Sequence, residues 1–257
     1  MNVYVCIKHV PDTAVAIKIV GENDFEKKGC KFVVNPYDEY AVEEAIEIVK
    51  KAGRGEAVVV TVGGAEAVAS VRAAMAMGAH RGILVKSDDY FLDSATTAAA
   101  LQKVIESDGR PDLILMGKAS VDSEGWQTPY RVAAAFRMPI VNEVSKLDLG
   151  EDRVTAEREI EGGARQVLEM KMPCVIGATR GLNEPRYPKL PDILKAKRKE
   201  IKEVKITDLI GKTEGPVAEL VKLEAVGERA AAHMIEGGVT EAVDRLVKIL
   251  KEKEKVI

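Results

Sequence analysis

Four short segments of this chain gather glycine, proline, amide, hydroxyl and carboxyl groups in a way that suits the binding of an anion. They are Cys6 to His9, Asn35-Pro36, Val62-Gly63-Gly64 and Gly117 to Thr128. Each follows an apolar run or opens a helical pattern. In an open parallel sheet those are the places where helix N-termini offer free N–H groups and a dipole that favours negative charge. Two familiar phosphate loops do not fit. Met116-Gly117-Lys118-Ala119 lacks the upstream glycine and the Ser or Thr of a Walker loop. Val62-Gly63-Gly64-Ala65-Glu66 does not match the serine-glycine-glycine-x-aspartate loop of ATP pyrophosphatases. No nucleophile–base pair or carboxylate dyad stands out, so the pattern favours binding over catalysis. Cys6, Cys30 and Cys174 are scattered without CxxC spacing, which supports neither a disulfide framework nor a zinc or iron–sulfur site. His9, His80 and His233 fall in unrelated segments, and no metal-ligand set is expected from them.

A different chemistry, recognition, is suggested by Leu182 to Lys199 (LNEPRYPKLPDILKAKRK). Three of the ten prolines stand here at 185, 188 and 191, the period of a polyproline II ribbon. Arg186, Tyr187, Lys189 and Leu190 would project from that ribbon, and Asp192 is placed to cap a basic helix, ILKAKRK. One reading is a connector between domains. The other is a preordered docking loop, with Leu190 as apolar anchor and Arg186, Lys189 and Lys195 as charges that steer an acidic partner.

The elements that must carry these segments follow from periodicity. Apolar runs at Val3–Ile7, Ala57–Val62, Gly82–Val85, Asp112–Met116 and Pro139–Val144 read as strands covered on both faces. Between them lie helical patterns: Asn35-Pro36 to Gly53, residues 65–77, Ser94 to Gly109, and Glu124 to Phe136. After residue 145 the pattern turns to alternation, in LDLGEDRVTAEREI and EGGARQVLEM, which predicts antiparallel strands extending the sheet before Cys174–Ala178 returns to it. Residues 200–238 read as an extended arm, and Thr240 to Lys253 as a helix with Val243, Leu246, Val247 and Leu250 on one stripe. The expected class is therefore α/β: an open, mostly parallel sheet with an antiparallel extension, a C-terminal arm and a helix. The domain boundaries read as 1–199 and 200–257.

The 257 residues suffice for a sizeable core. Apolar residues make up 46%, and no apolar stretch approaches transmembrane length, so a membrane-embedded protein is not expected. The chain opens directly on MNVYVCIK without a basic-then-apolar leader, which suggests the cytoplasm. A net charge of −3 argues against general nucleic-acid binding.

LNEPRYPKLPDILKAKRK (182–199) closely resembles the signature of the small (beta) subunit of electron-transfer flavoproteins. EREIEGGARQVLEMKMPCVIGAT (157–179), VNPYDEYAVEEA (34–45), AMAMGAHRGILV (74–85) and LILMGKASVDSEGWQT (113–128) are similar to further blocks of that family, in the family's order. The resemblance runs from the first strand to about residue 205. It implies a Rossmann-like, adenine-nucleotide alpha-hydrolase-like domain that binds AMP through Cys6, Asn35, Pro36, Tyr37, Asp38 and Val62. The loop of Gly117, Lys118, Ala119, Ser120, Val121, Asp122, Ser123, Glu124, Gly125, Trp126, Gln127 and Thr128 would complete that site. It further implies a redox-active FAD held mainly by a large (alpha) subunit, with Pro11, Asp12, Thr13 and Ala14 beside its flavin end. Arg186, Tyr187, Pro188, Lys189, Leu190, Pro191, Ile193 and Lys195 would dock acyl-CoA dehydrogenase-type flavoenzymes. Electrons would pass on to a quinone-linked acceptor in fatty acid oxidation. Glu159 matches a position that contacts the large subunit, and the arm and last helix would clasp it. Such a subunit is an electron carrier with no reaction of its own.

Two departures bear on the nucleotide. Trp126 and Pro129 are bulky or stiff where the family has Asn-Gln-Thr-Gly, so the pocket is expected to be narrower. VPDT (10–13) and SDDYFLDSATTAAA (87–100) look more like the electron-bifurcating branch, whose small subunit holds a second FAD in place of AMP and whose complex oxidises NADH. That branch's Gly-Asp-Thr-x-Gln-Val-Gly-Pro run is missing, and AMP is the preferred expectation. A rival from another class is a stand-alone adenine-nucleotide sensor, which would need neither the proline-spaced loop nor the last helix.

Overall fold

Near-continuous apolar runs become the centre of a sheet with both faces covered. The computed structural model describes every residue except 212–216, 226, 228–231 and 233, so His233 lies outside the described residues. Two units result, Met1–Lys222 and Leu223–Ile257. The first half of the chain builds β1 (Asn2–Cys6), β2 (His9–Pro11), β3 (Ile19–Val20), β4 (Asp24–Phe25), β5 (Phe32–Val34), α1 (Pro36–Ala52), β6 (Glu56–Gly63), α2 (Val68–Met77), β7 (Arg81–Lys86), α3 (Ser94–Asp108) and β8 (Leu113–Gly117). There follow α4 (Thr128–Phe136), β9 (Ile140–Leu149), β10 (Arg153–Glu159), β11 (Arg165–Lys171), β12 (Cys174–Ala178), α5 (Leu190–Arg198), β13 (Ile201–Lys205), α6 (Ile206–Leu209) and, in the second unit, α7 (Val239–Lys248).

The main sheet runs β11-β10-β9-β12-β8-β1-β6-β7-β13. It is parallel from β9 to β13, and β10 and β11 add the antiparallel extension. Alternation along each strand divides the core. Val3, Val5, Val59, Leu113, Leu115 and Ile176 pack on the side of α1 and α2. Tyr4, Cys6, Val58, Val60, Ile83 and Met116 pack on the side of α3 and α4. From β1 the chain steps outward through β6 to β7 on one side, then returns to β8 on the other. The β1–β8 boundary is therefore a topological switch point, where the carboxyl ends of neighbouring strands diverge and leave a crevice.

Four expectations change. Residues 201–205 are not an extended arm but β13, paired parallel with β7, so the sheet continues past the boundary expected at residue 199. The fourth helix begins at Thr128, because Glu124 (φ 44°) and Trp126 (φ 57°) take left-handed conformations that a helix cannot contain. Pro191 sits in the first turn of α5, so it is not the third member of an extended ribbon, and Leu190 is the first helical residue. Asp192 lies inside that turn, with Lys189 at the cap position, and so does not cap the helix.

Candidate functional site

Asn35 stands at the cap position of α1, yet its side chain makes no bond to the helix N–H groups. Instead its Nδ2 donates to Asp38 Oδ1 and to the Ala119 carbonyl, each at 2.9 Å, and its Oδ1 accepts from the Val121 N–H at 3.1 Å. Asp38 is buried and accepts two further backbone N–H groups, from Gly117 at 2.8 Å and Lys8 at 2.7 Å. These two side chains stitch the ends of β1 and β8 to the start of α1. Burial pushes the Asp38 carboxyl up to about 7, against the pull of the Asn35, Lys8 and Gly117 donors. Gly117 has to be glycine here, since a Cβ would lie 2.4 Å from Asp38 Oδ1 and 2.6 Å from Tyr37 Cβ.

A cavity of about 370 Å3 opens at this seam. Of the expected nucleotide residues, Cys6, Asn35, Asp38, Val62, Gly117, Ala119, Ser120, Ser123, Gly125, Trp126, Gln127 and Thr128 line it. Pro36, Tyr37, Lys118, Val121, Asp122 and Glu124 do not. The floor is apolar and unreactive: burial, and then the neighbouring Asp38, push the Cys6 thiol well above its ordinary range. One wall is the start of α4, which has no side-chain cap, so its first N–H groups lack partners within the helix. The start of α3 differs, because Asp93 caps it by accepting from Ala95 and Thr96.

Sequence reasoning missed part of the lining. Lys8 and His9 belong to the Cys6–His9 segment expected at the site but not to the residues that the resemblance gave to the nucleotide, and both line the cavity. Lys8 pairs with Asp122 at 2.7 Å, whose side chain is 12% exposed and also accepts from the Tyr90 hydroxyl at 3.0 Å. His9 holds Ser70 Oγ at 2.7 Å through Nδ1 and stacks on Phe32, and burial lowers its pKa. Tyr90, Leu92, Asp93, Ser94 and Thr97 come from the 87–100 segment. Pairing across the fold brings them here, and the segment's resemblance to the bifurcating branch was its signal in the sequence. Among the described residues no His, Cys, Asp or Glu cluster could hold a metal.

The other expected residues lie elsewhere. Pro11 to Ala14 form a turn outside the cavity lining, in which Asp12 accepts the Ala14 N–H at 3.1 Å and pairs with Lys31 at 2.7 Å. Glu159 ends β10 and is exposed. The 182–199 segment is fastened at both ends. Asn183 donates to the Tyr40 carbonyl and Glu44 of α1, each at 3.0 Å, and Arg186 grips Glu43 of α1 and reaches Glu47 at 2.6 Å. At the far end Arg72 of α2 donates to the Ala196 and Lys197 carbonyls at 2.8 and 3.0 Å, closing the C-terminus of α5. Between these fastenings Tyr187, Leu190, Ile193 and Leu194 stay exposed. Arg186 is thus a fastening, engaged by two carboxylates, rather than a free steering charge.

A doubly wound α/β chain with a cavity at its switch point defines a broad class; the comparisons narrow it. The family model for the electron transfer flavoprotein domain matches residues 25–209. The chain is 34% identical over 261 residues to electron transfer flavoprotein subunit beta of Bacillus subtilis, covering 100% of both chains. It is 35% identical over 256 residues to the Homo sapiens subunit beta, covering 98% of this chain and 97% of the relative. With the mitochondrial subunit beta of Arabidopsis thaliana it shares 33% over 260 residues, 100% of each chain. The chain belongs to the electron transfer flavoprotein family, on the beta-subunit side. Among the described residues no helix is long and apolar enough to cross a membrane.

Proposed function

We propose that this chain is the small subunit of a heterodimeric electron-transfer flavoprotein and that its cavity holds AMP. In this reading it helps carry electrons from acyl-CoA dehydrogenase-type flavoenzymes towards a quinone-linked acceptor, in the cytoplasm. The observation that carries the nucleotide reading is the convergence of Asn35, Asp38 and the 117–128 loop on one cavity, with an apolar floor and an uncapped helix start as its wall. At about 370 Å3 the cavity lies near the small end of the range for ligand sites, roughly 300–1,000 Å3, which suits a mononucleotide. The base would rest on Cys6, Val62 and Met116. Its phosphate would take the N–H groups of Gln127 and Thr128 together with their side-chain amide and hydroxyl.

FAD, held mainly by the large subunit, supplies the redox chemistry when bound. The Pro11–Ala14 turn would brace its flavin end, kept in shape by the Asp12–Lys31 pair. The role left to this chain is to bind, orient and dock, without a reaction of its own. Val243, Leu246 and Val247 are exposed on α7, which suits a helix that clasps the large subunit, and the exposed Glu159 suits a tether to it. The segment fastened between Arg186 and Arg72 would present Leu190 to the donor enzyme. Family membership leaves the stand-alone sensor without support.

One observation favours a second reading. Tyr90, Leu92 and Asp93 belong to the segment resembling the bifurcating branch, and they line the cavity. A second FAD there, with NADH oxidation, is the alternative. Absorbance and mass analysis of the small molecules released from purified heterodimer separates the two. One FAD plus AMP is expected, whereas two FAD per heterodimer would overturn the AMP reading.

A further inference from the structure

Lys118 does not line the cavity, yet it touches what shapes it. Its Nζ lies 4.7 Å from the centre of the Trp126 ring and 5.2 Å from that of Tyr37. The same ammonium reaches Glu143 Oε2 at 3.3 Å, and the lysine side chain is 18% exposed. An ammonium over aromatic faces is attracted by their quadrupoles, most strongly over tryptophan. The backbone of Lys118 is fixed as well: its N–H donates to the Ala178 carbonyl and its carbonyl accepts from Asn142 Nδ2. Glu143 has φ 63° within a bulge of β9, where Asn142 and Glu143 face the single residue Gly177. That bulge turns the carboxylate back towards Lys118.

Trp126 has φ 57°, a conformation that a bulky side chain resists unless something holds it. Gln127, next in the chain, is right-handed at φ −91°. A left-handed residue followed by a right-handed one points successive N–H groups into one concavity, an arrangement suited to anions. We infer that Lys118 is a positioning residue for the nucleotide phosphate. Clamped between Tyr37 and Trp126, it holds the 124–127 turn so that the N–H groups of Gln127 and Thr128 face the cavity. This rests on the nucleotide reading given above.

The test is a double-mutant cycle on the full chain, with AMP and adenosine as probes in calorimetric titrations. Lys118→Met keeps the stem and removes the charge; Trp126→Gly accepts the left-handed backbone and removes the ring. Each should weaken AMP by about five- to thirtyfold, the range of a desolvated cation–π contact. The double variant should be no weaker than the poorer single one. Adenosine, lacking the phosphate, should change by less than about twofold, and Lys118→Arg should restore AMP affinity. Additive losses, equal losses for adenosine, or unchanged AMP affinity in Lys118→Met would overturn the inference. If the wild-type chain binds no AMP, the nucleotide reading fails instead. The clamp is then judged by the single tryptophan, whose quenching by acrylamide should rise in Lys118→Met. Unchanged quenching would remove the clamp too.

Discussion

Asp38 and Glu43 sit just over one turn apart on α1, both buried, and they solve the same problem in opposite ways. Asp38 is surrounded by neutral donors, two backbone N–H groups and the Asn35 amide, and it joins the strand ends that shape the cavity. Glu43 is gripped by the Arg186 guanidinium and joins α1 to the 182–199 segment. A carboxylate held by dipoles costs more to ionise than one held by a cation, but its geometry is fixed on all sides by backbone. Where the chain shapes a cavity it uses dipoles; where it fastens a segment across its surface it uses an ion pair. The same helix serves both.

Breaking the dipole end should cost most. Asp38→Asn places an NH2 where one oxygen accepted, leaving at least one buried backbone N–H without a partner. A loss of about 2–4 kcal/mol in urea denaturation is expected, together with weaker AMP retention. The pH dependence has a definite sign. Burial raises the folded-state pKa of Asp38 from 3.8 to about 7, so the folded chain keeps this proton longer than the unfolded chain does. Its contribution is complete below about 4 and is lost as pH rises through about 7. Wild type should therefore lose stability relative to Asp38→Asn across that window. A difference between the two that is flat from about pH 4 to 8 would refute this.

The ion-pair end should be next. Arg186→Met leaves Glu43, 8% exposed, without its cation. Stranding a fully buried charge costs roughly 3–5 kcal/mol, but the Arg186 side chain here is 38% exposed, so about 1–2 kcal/mol is expected. Limited proteolysis should then cut near residues 182–189 faster than in wild type, while nucleotide content stays constant. Resistance equal to wild type would mean that Asn183 and Arg72 suffice to hold the segment.

Much of this frame was legible in the chain. The parallel strands announced themselves as continuous apolar runs. The first helix was framed by Pro36 at its start and by Gly53, which takes the left-handed φ of 64° that closes it. What escaped is instructive. The β13 stretch IKEVK buries only Ile201 and Val204 in part, as a polar edge strand does, and so resembled an arm. Glu124 to Gln127 read as helix because the hold of Lys118 on Trp126 has no sequence signal. Asn35 was recognisable as a cap by type, but its side chain is committed to Ala119 and Val121, far along the chain. The lining residues from 89 to 97 reach the cavity through tertiary pairing, of which the Tyr90–Asp122 bond is the example. Positions fixed by local periodicity could be read; those fixed by partners across the fold could not.

The docking reading predicts effects that leave both ends of α1 intact. Leu190 is 69% exposed, and with Ile193 and Leu194 it forms an apolar patch at helical spacing. Burying such a leucine in a partner is worth roughly 1.5–3 kcal/mol. Leu190→Ala should therefore weaken donor binding by about tenfold, with unchanged flavin content and an unchanged urea midpoint. Equal electron-transfer rates at limiting carrier concentration would remove the anchor. In the structure the direction of Leu190 comes from the first turn of α5, not from a ribbon.

The smallest effect should come from Lys189 and Lys195, and it sharpens the contrast with Arg186. Both lysines are exposed on the 182–199 segment, and the carboxylate of Asp192 lies 3.9 Å from Lys195, too loosely placed in solvent to cancel its charge. Such charges steer encounter more than they hold a complex. Lys189→Gln with Lys195→Gln should slow association with an acyl-CoA dehydrogenase-type donor by about two- to fivefold at low ionic strength, leaving dissociation unchanged. Near 1 M salt, where the screening length falls to about 3 Å, the difference should vanish. Arg186→Met should behave otherwise, because a half-buried pair is screened far less: its defect in segment order should persist at high salt. Stopped-flow association rates over a salt series, with both variants beside wild type, make the comparison. If the lysine variant kept its defect at high salt, or Arg186→Met lost its own, the division between fastening and steering would have to be redrawn.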